Sequence, residues 1–162
     1  MRFFNVAGAS PSGKIGQINK GDQLFKNLSL ETLKKNPIFK IYGTNYKTKD
    51  GTCIRDYIHV SDIAEIHYKV LNKINKYNIS KILNCGYAKG ISVNQAVKEF
   101  KKYANNKLKI IKLMKRKGDM VKITANNNNL KKFINWKPKY NKLNEIVRSC
   151  ILWEKKQLTI KF

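Results

Sequence analysis

Apolar positions along the chain fall into two spacings. Short apolar runs at residues 2–6, 39–42, 54–58, 82–85, 108–113 and 120–124 predict strands. Leu24, Leu28 and Leu33, with Phe25 and Leu30, recur at helical spacing and predict a helix over residues 23–35, stopped by Pro37. Ser61 is the predicted N-cap of a second helix that gathers Ile63, Ile66, Val70, Leu71 and Ile74 on one face. Ser92-Val93-Asn94-Gln95 has the form of a capping box and predicts a helix to Tyr103. Two further helices are predicted over residues 127–133 and 143–156, parted by Trp136-Lys137-Pro138. The alternation predicts an α/β fold. No apolar run approaches the ~20 residues of a membrane span, so no membrane partner is expected.

Composition adds one caution. The chain has 162 residues, a formal charge of +24 and a pI near 10.1, a balance that ordinarily points to nucleic acid. Yet 30 of the 34 basic residues are Lys, and Asn and Ile contribute 19 each. All three residue types have A/T-rich codons, so a low-GC genome yields this bias without selection for nucleic acid. The lysines are also dispersed, and arginine, which grips phosphate bidentately, is scarce. Only non-specific nucleic-acid binding is expected. Cys53, Cys85 and Cys150 lie far apart without metal-ligand spacing and read as reduced thiols of a cytoplasmic chain.

The local motifs sort quickly. Gly8-Ala9-Ser10-Pro11-Ser12-Gly13-Lys14 nearly spells a P-loop, but Ile15 stands where Mg²⁺ needs a hydroxyl. No G-x-G-x-x-G occurs. Tyr-x-x-x-Lys occurs twice, no more than eight tyrosines and this lysine frequency supply by chance. His59 and His67 show no Ser or Cys partner, and His67 is expected to pack in the core. Two clusters stand out. Residues 50–60 put acid, base, aromatic and His into an extended apolar stretch, and Arg116-Lys117-Gly118-Asp119 sets a rare arginine in a glycine turn. An arginine kept amid so many lysines points to a need for the planar fork, as on a diphosphate.

Together these segments resemble the C-terminal half of the UDP-glucose 4-epimerase family, extended short-chain dehydrogenase/reductases of the NAD-dependent epimerase/dehydratase group. Phe3-Phe4-Asn5-Val6-Ala7-Gly8-Ala9 is similar to R-Y-F-N-x-x-G-A. Ile41-Tyr42-Gly43-Thr44-Asn45-Tyr46, with Asp50 to Val60 and Asp62, is similar to I-F-G-x-D-Y…D-G-T-x-x-R-D-Y-I-H-V-x-D. Asn84-Cys85-Gly86, Arg116 to Asp119 and Leu130 to Tyr140 match N-L-G, R-x-G-D and L-x-W-x-P-x-Y in order.

The resemblance implies an isomerase that interconverts UDP-glucose and UDP-galactose by hydride transfer at C4 through a 4-keto sugar, with NAD as cofactor. It implies an α/β fold formed by the C-terminal substrate-binding portion of an extended short-chain dehydrogenase/reductase, one unit over residues 1–162 that lacks most of the Rossmann sheet. The catalytic Tyr-x-x-x-Lys and the NAD-binding glycine loop would lie upstream. The chain is then expected to be a truncated, inactive UDP-sugar module that does not bind NAD alone, or half of a split enzyme completed by an NAD-binding chain. The full-length family also implies a homodimer. By the same resemblance Phe4 faces the nicotinamide end of NAD, and Asn5, Gln23 and Leu24 meet the diphosphate and ribose. Lys40, Ile41 and Tyr42 flank the uracil. Arg55 and Arg116 hold the diphosphate, and Asp119 the ribose hydroxyls. Ile123 takes the position where side-chain size governs N-acetylated sugars, and an isoleucine leaves that choice open. Gln23 stands where the family commonly has Asn or His. Strands cut off from their sheet are expected to leave an exposed apolar face and a marginal, aggregation-prone chain. Rival readings are a stand-alone UDP-sugar-binding module, a non-functional gene fragment and a basic nucleic-acid binder.

Overall fold

Strands β1 (Arg2–Phe3) and β2 (Asn5–Ala7) lead through a long loop to helix α1 (Leu24–Thr32) and strand β3 (Ile38–Tyr42). Next come β4 (Ile54–His59), α2 (Val60–Tyr77), β5 (Asn84–Cys85), β6 (Gly90–Ser92) and α3 (Val93–Tyr103). Then follow β7 (Lys109–Leu113), β8 (Lys122–Ile123), α4 (Asn128–Ile134) and α5 (Leu143–Thr159). These elements come from a computed structural model that describes residues 1–19, 21–104 and 107–159.

Strand β4 is the junction of the fold. Its second half pairs parallel with β2, in the register Asn5 to Tyr57, and its first half pairs with β6 and β8. Strands β1 and β5 pair in parallel, as do β3 and β7. Among the described residues four of the five pairings are parallel and helices alternate with the strands, the pattern of a Rossmann-like α/β fold. This corrects the expected portion lacking most of the Rossmann sheet, with strands left unpaired. The strands near Phe3–Val6 and Ile82–Cys85 find partners within the chain, and every strand among the described residues is paired.

Two apolar clusters hold the layers together. One joins α1, α3 and α5 through Phe25, Leu28, Phe100, Ile146 and Val147, with Phe25 edge-on to Phe100 at 5.5 Å. The other packs α2 and α4 on Ile58, Cys85 and Trp136. Helix α3 begins with the predicted capping box: Gln95 N donates to Ser92 Oγ, and Ser92 N to Gln95 Oε1. Helix α2 starts earlier than predicted. His59 caps it by accepting the Ser61 N–H on Nδ1 at 3.0 Å, so Ser61 lies inside the helix. His67 is exposed and stacked on Phe3 at 5.3 Å, not packed in the core, because it sits one step off the face carried by Ile66 and Val70.

Buried carboxylates tie the loops to this frame. Asp56 is fully buried and accepts the backbone N–H of Tyr87, Ala88 and Ala125 at 2.9, 2.9 and 3.0 Å. It thereby holds Ala88 at φ 59, a left-handed conformation that alanine seldom adopts. Asp62 likewise accepts the N–H groups of Lys139 and Tyr140 at 3.0 Å. Asp50, by contrast, lies at the surface: its partial desolvation works to raise the carboxyl, but hydrogen bonds from Ser92 and Thr52 outweigh it and hold it below the usual carboxylate range.

Candidate functional site

Between β2, the N-terminus of α1, β3 and the loop after β7 lies an open cleft of about 1100 Å³. Phe4, Asn5, Gln23, Leu24, Lys40, Tyr42, Arg116 and Asp119 line it. Strand alternation explains the selection on β3: Lys40 and Tyr42 project to one side, while Ile41, 2% exposed, projects into the core. Gln23 is the N-cap of α1 and makes no side-chain bond to the helix; its Oε1 accepts from Gln17 Nε2, which leaves its amide nitrogen to the cleft. The first N–H groups of α1 carry partial positive charge there.

The arginines have different roles. The Arg116 guanidinium lies over the Tyr42 ring at 4.0 Å to the centroid, a cation–π contact at the cleft wall. Arg55 is turned inward, its side chain only 12% exposed. It donates to the carbonyls of Ile54 and Met120 at 2.9 and 2.7 Å and reaches Asp119 at 3.4 Å. Arg55 thus fixes the turn that carries Asp119. Ile123 lies opposite Arg55 in the β4–β8 pairing. Arg55, Ile41 and Ile123 do not line the cleft.

A Ser–His pair that sequence spacing did not reveal lies behind this wall. Ser149 Oγ sits 3.2 Å from His59 Nε2, across 90 residues of sequence. The hydrogen-bond pattern removes it from nucleophilic catalysis. His59 Nδ1 accepts from Ser61 N, so Nε2 carries the proton and donates to Ser149, and the Ser149 hydroxyl is spent on the Ile146 carbonyl at 2.8 Å. Gly8, at φ +89, passes so close that a Cβ would lie 2.6 Å from the His59 ring. Cys150 is equally inert: its sulfur accepts the Gly8 N–H, and burial pushes its thiol up to about 12. Cys53, Cys85 and Cys150 are all unpaired. No group of three or more metal-ligating side chains occurs among the described residues.

Burial also lowers the His59 pKa, against the nearby charges of Asp62 and Glu145. Below the ordinary histidine value of about 6.5 the unfolded chain takes up a proton that the folded chain resists, so this stabilisation is complete above about pH 6.5 and fades as pH falls toward the lowered folded value. The expected result is a wild-type Tm that declines between pH 7 and 5 more steeply than that of His59→Gln. Parallel profiles would contradict the assignment.

Four cleft residues escaped the sequence reading. Lys26 and Glu154 form a buried ion pair at 2.6 Å with side chains 7% and 6% exposed, and Trp153 and Gln17 lie beside them. A separation of 128 residues leaves no local pattern from which the pair could be read.

This arrangement has close counterparts. The family model for the NAD dependent epimerase/dehydratase family matches residues 1–86, just over half of the chain. The chain belongs to that family. A UDP-glucose 4-epimerase of Azospirillum brasilense is 38% identical over 96% of this chain and 45% of its own length. Among solved structures, a UDP-glucose 4-epimerase of Stenotrophomonas maltophila with bound NAD and formylated UDP-arabinopyranose superposes with a TM-score of 0.91. It is 28% identical, over 97% of this chain and 47% of that one. The Bifidobacterium longum enzyme in complex with NAD+ and UDP gives 0.85 at 29% identity, over the same shares. The chain spans about half the length of the curated relatives it matches.

These matches correct several expectations. The epimerase/dehydratase resemblance is not a C-terminal half with the NAD-dependent part of the family wholly elsewhere: the family model runs from residue 1 to 86, and similarity to epimerases extends over 94–97% of the chain. The readings as a truncated, inactive module, and as a chain from which the NAD-binding part is missing, are overturned by the same findings. The family model matches residues 1–86 although no G-x-G-x-x-G occurs there, so the absence of that fingerprint does not place the match elsewhere.

Proposed function

We propose that the cleft binds a UDP-hexose and that the protein serves NAD-dependent epimerisation at the sugar C4, interconverting UDP-glucose and UDP-galactose. One observation carries the reading: an aromatic ring, a stacked arginine, a carboxylate and two amides, Tyr42, Arg116, Asp119, Asn5 and Gln23, share one cleft. Each suits a part of a nucleoside diphosphate. A flat ring accepts a pyrimidine face, the arginine and amides donate to phosphate oxygens, and the carboxylate accepts from ribose hydroxyls. Lys40 lies two residues from Tyr42 on the same strand face and adds positive charge beside the base. Leu24 supplies an apolar contact at the mouth, and Arg55 acts on the ligand by holding Asp119. Ile41 and Ile123 back the uracil and sugar ends from behind the wall. The unit proposed to do this is residues 1–162 as a whole. UDP bound to the Bifidobacterium longum relative supports the choice of nucleotide.

The cleft exceeds the ~300–1,000 Å³ common for small ligands, which leaves room for a nicotinamide end beside the sugar. Phe4, on the wall next to Asn5, is the residue of this chain proposed to face it. Bound NAD would supply the hydride acceptor, while this chain's residues bind and orient the nucleotide and screen the sugar from water.

Finer proposals concern place and company. Three unpaired thiols support a cytoplasmic setting, and among the described residues no helix is long and apolar enough to cross a membrane. The exposed apolar side chains of Phe3, Tyr68, Leu71 and Ile82 support a partner, either a second copy or an NAD-binding chain. Calorimetric titration with UDP-glucose, with uridine and pyrophosphate as controls, tests the central reading, and native mass spectra of the same samples read the association state. UDP-glucose is expected to bind at least about tenfold more tightly than pyrophosphate. Equal affinities would mean that +24 of charge alone attracts the ligand. A monomer at every concentration would exclude the second copy.

A further inference from the structure

The loop from Ser10 to Asn19, which brings Gln17 into the cleft lining, is fastened by contacts that the proposed binding chemistry does not itself require. Ser10 closes its first turn: Ile15 N donates to Ser10 Oγ at 3.0 Å, and Ser10 N to the Ile15 carbonyl at 2.8 Å. Gly16 then passes against the Trp153 ring, where a Cβ would meet ring carbons at 2.4 Å. The Gln17 carbonyl accepts from Trp153 Nε1 at 3.0 Å and from Lys26 Nζ at 2.9 Å, and Lys26 is itself held by Glu154. With its backbone fixed in this way, Gln17 donates from Nε2 to Gln23 Oε1 at 2.8 Å.

That last bond sets a direction. An amide side chain has one accepting and one donating end. When Gln17 occupies the Gln23 oxygen, the Gln23 nitrogen is the end left for the cleft. Gln23 is free to take this orientation because it makes no capping bond to α1. Phosphate oxygens only accept, so an amide presenting N–H favours them and an amide presenting its oxygen repels them. We propose that Gln17, held by Lys26 and Trp153, is a positioning residue that turns the Gln23 amide so that its NH₂ group donates to the ligand diphosphate. The proposal rests on the reading of the cleft as a UDP-sugar site.

The test inverts the bond instead of deleting it. In Gln17→Glu the carboxylate can only accept, so Gln23 must turn its NH₂ toward residue 17 and present oxygen to the cleft. UDP affinity, measured by calorimetry, is expected to fall by about tenfold or more, while uridine, which lacks phosphate, changes less than about twofold. Tm should not move, since Gln17 is only half-buried and its backbone carbonyl keeps its bonds. The same change in a Gln23→Ala background controls for the added charge. An effect there of less than about twofold supports the proposal; a loss equal to that in the parent means bare repulsion and overturns it. An equal loss for uridine and UDP, or a fall in Tm, would assign Gln17 a structural role and also overturn it. If the wild-type protein fails to prefer UDP over pyrophosphate, the fault lies in the reading of the cleft. Variants of Lys26 and Glu154 are less informative, because an uncompensated buried charge threatens the fold.

Discussion

Replacing Asp56 by alanine is expected to destabilise the protein more than any change in the cleft. The carboxylate is fully buried and accepts three backbone N–H groups, from Tyr87, Ala88 and Ala125. Its loss strands those donors without water or partner, at a cost of roughly 3–5 kcal/mol. For a chain of this size that corresponds to a fall in Tm of about 10 °C. Ala88 would be released from its left-handed conformation, and the segment between β5 and β6 with it. Asp56→Asn, which keeps one accepting oxygen, should recover part of the loss. Thermal unfolding by circular dichroism reads the series, and an alanine variant within about 1 kcal/mol of wild type would show that the three bonds contribute little.

The second large effect is on ligand affinity. Arg116→Ala should weaken UDP binding by on the order of 10–100-fold, matching the ~1.5–3 kcal/mol of a hydrogen bond to a charged group, with Tm nearly unchanged. Arg116→Lys keeps the charge but loses the fork and the flat stacking of the guanidinium over Tyr42, so it should recover little. Arg55→Ala is expected to weaken binding less and to lower Tm more, because its bonds go to Ile54, Met120 and Asp119 within the protein. Lys117→Ala, one residue along, controls for net charge. Equal losses from Arg116→Ala and Lys117→Ala would reduce the site to diffuse electrostatics.

The two arginines show how far the sequence could be read. Their scarcity amid lysine singled out both, yet composition could not separate Arg116, on the cleft wall, from Arg55, which braces the wall from behind. Local pattern located the strands and the capping box at Ser92, because periodicity and caps are short-range properties. It misplaced the start of α2, where a histidine does the capping more often done by serine. It also missed the Ser149–His59 contact and the Lys26–Glu154 pair, both made only by tertiary packing. The block from Asp50 to Asp62, so dense in ionisable groups that it read as chemistry, is largely a set of internal fasteners: Asp50, Asp56, His59 and Asp62 spend their hydrogen bonds on the chain itself. The idea that strands would lie unpaired failed because β2 and β4 find each other across some fifty residues, a pairing that local pattern does not encode.

The fastening of the Ser10–Asn19 loop by α5 has a temporal side. During synthesis the Gly8 N–H and the Gln17 carbonyl must wait for Cys150 and Trp153. At ribosomal speeds that delay is roughly 7–30 s. Throughout it β2 has β4 beside it but still lacks the contacts that α5 places over its end. A nascent chain paused before α5 is therefore more open to chaperones and proteases than the finished protein, and the Gln17 side of the cleft is among the last parts of the molecule to acquire its shape.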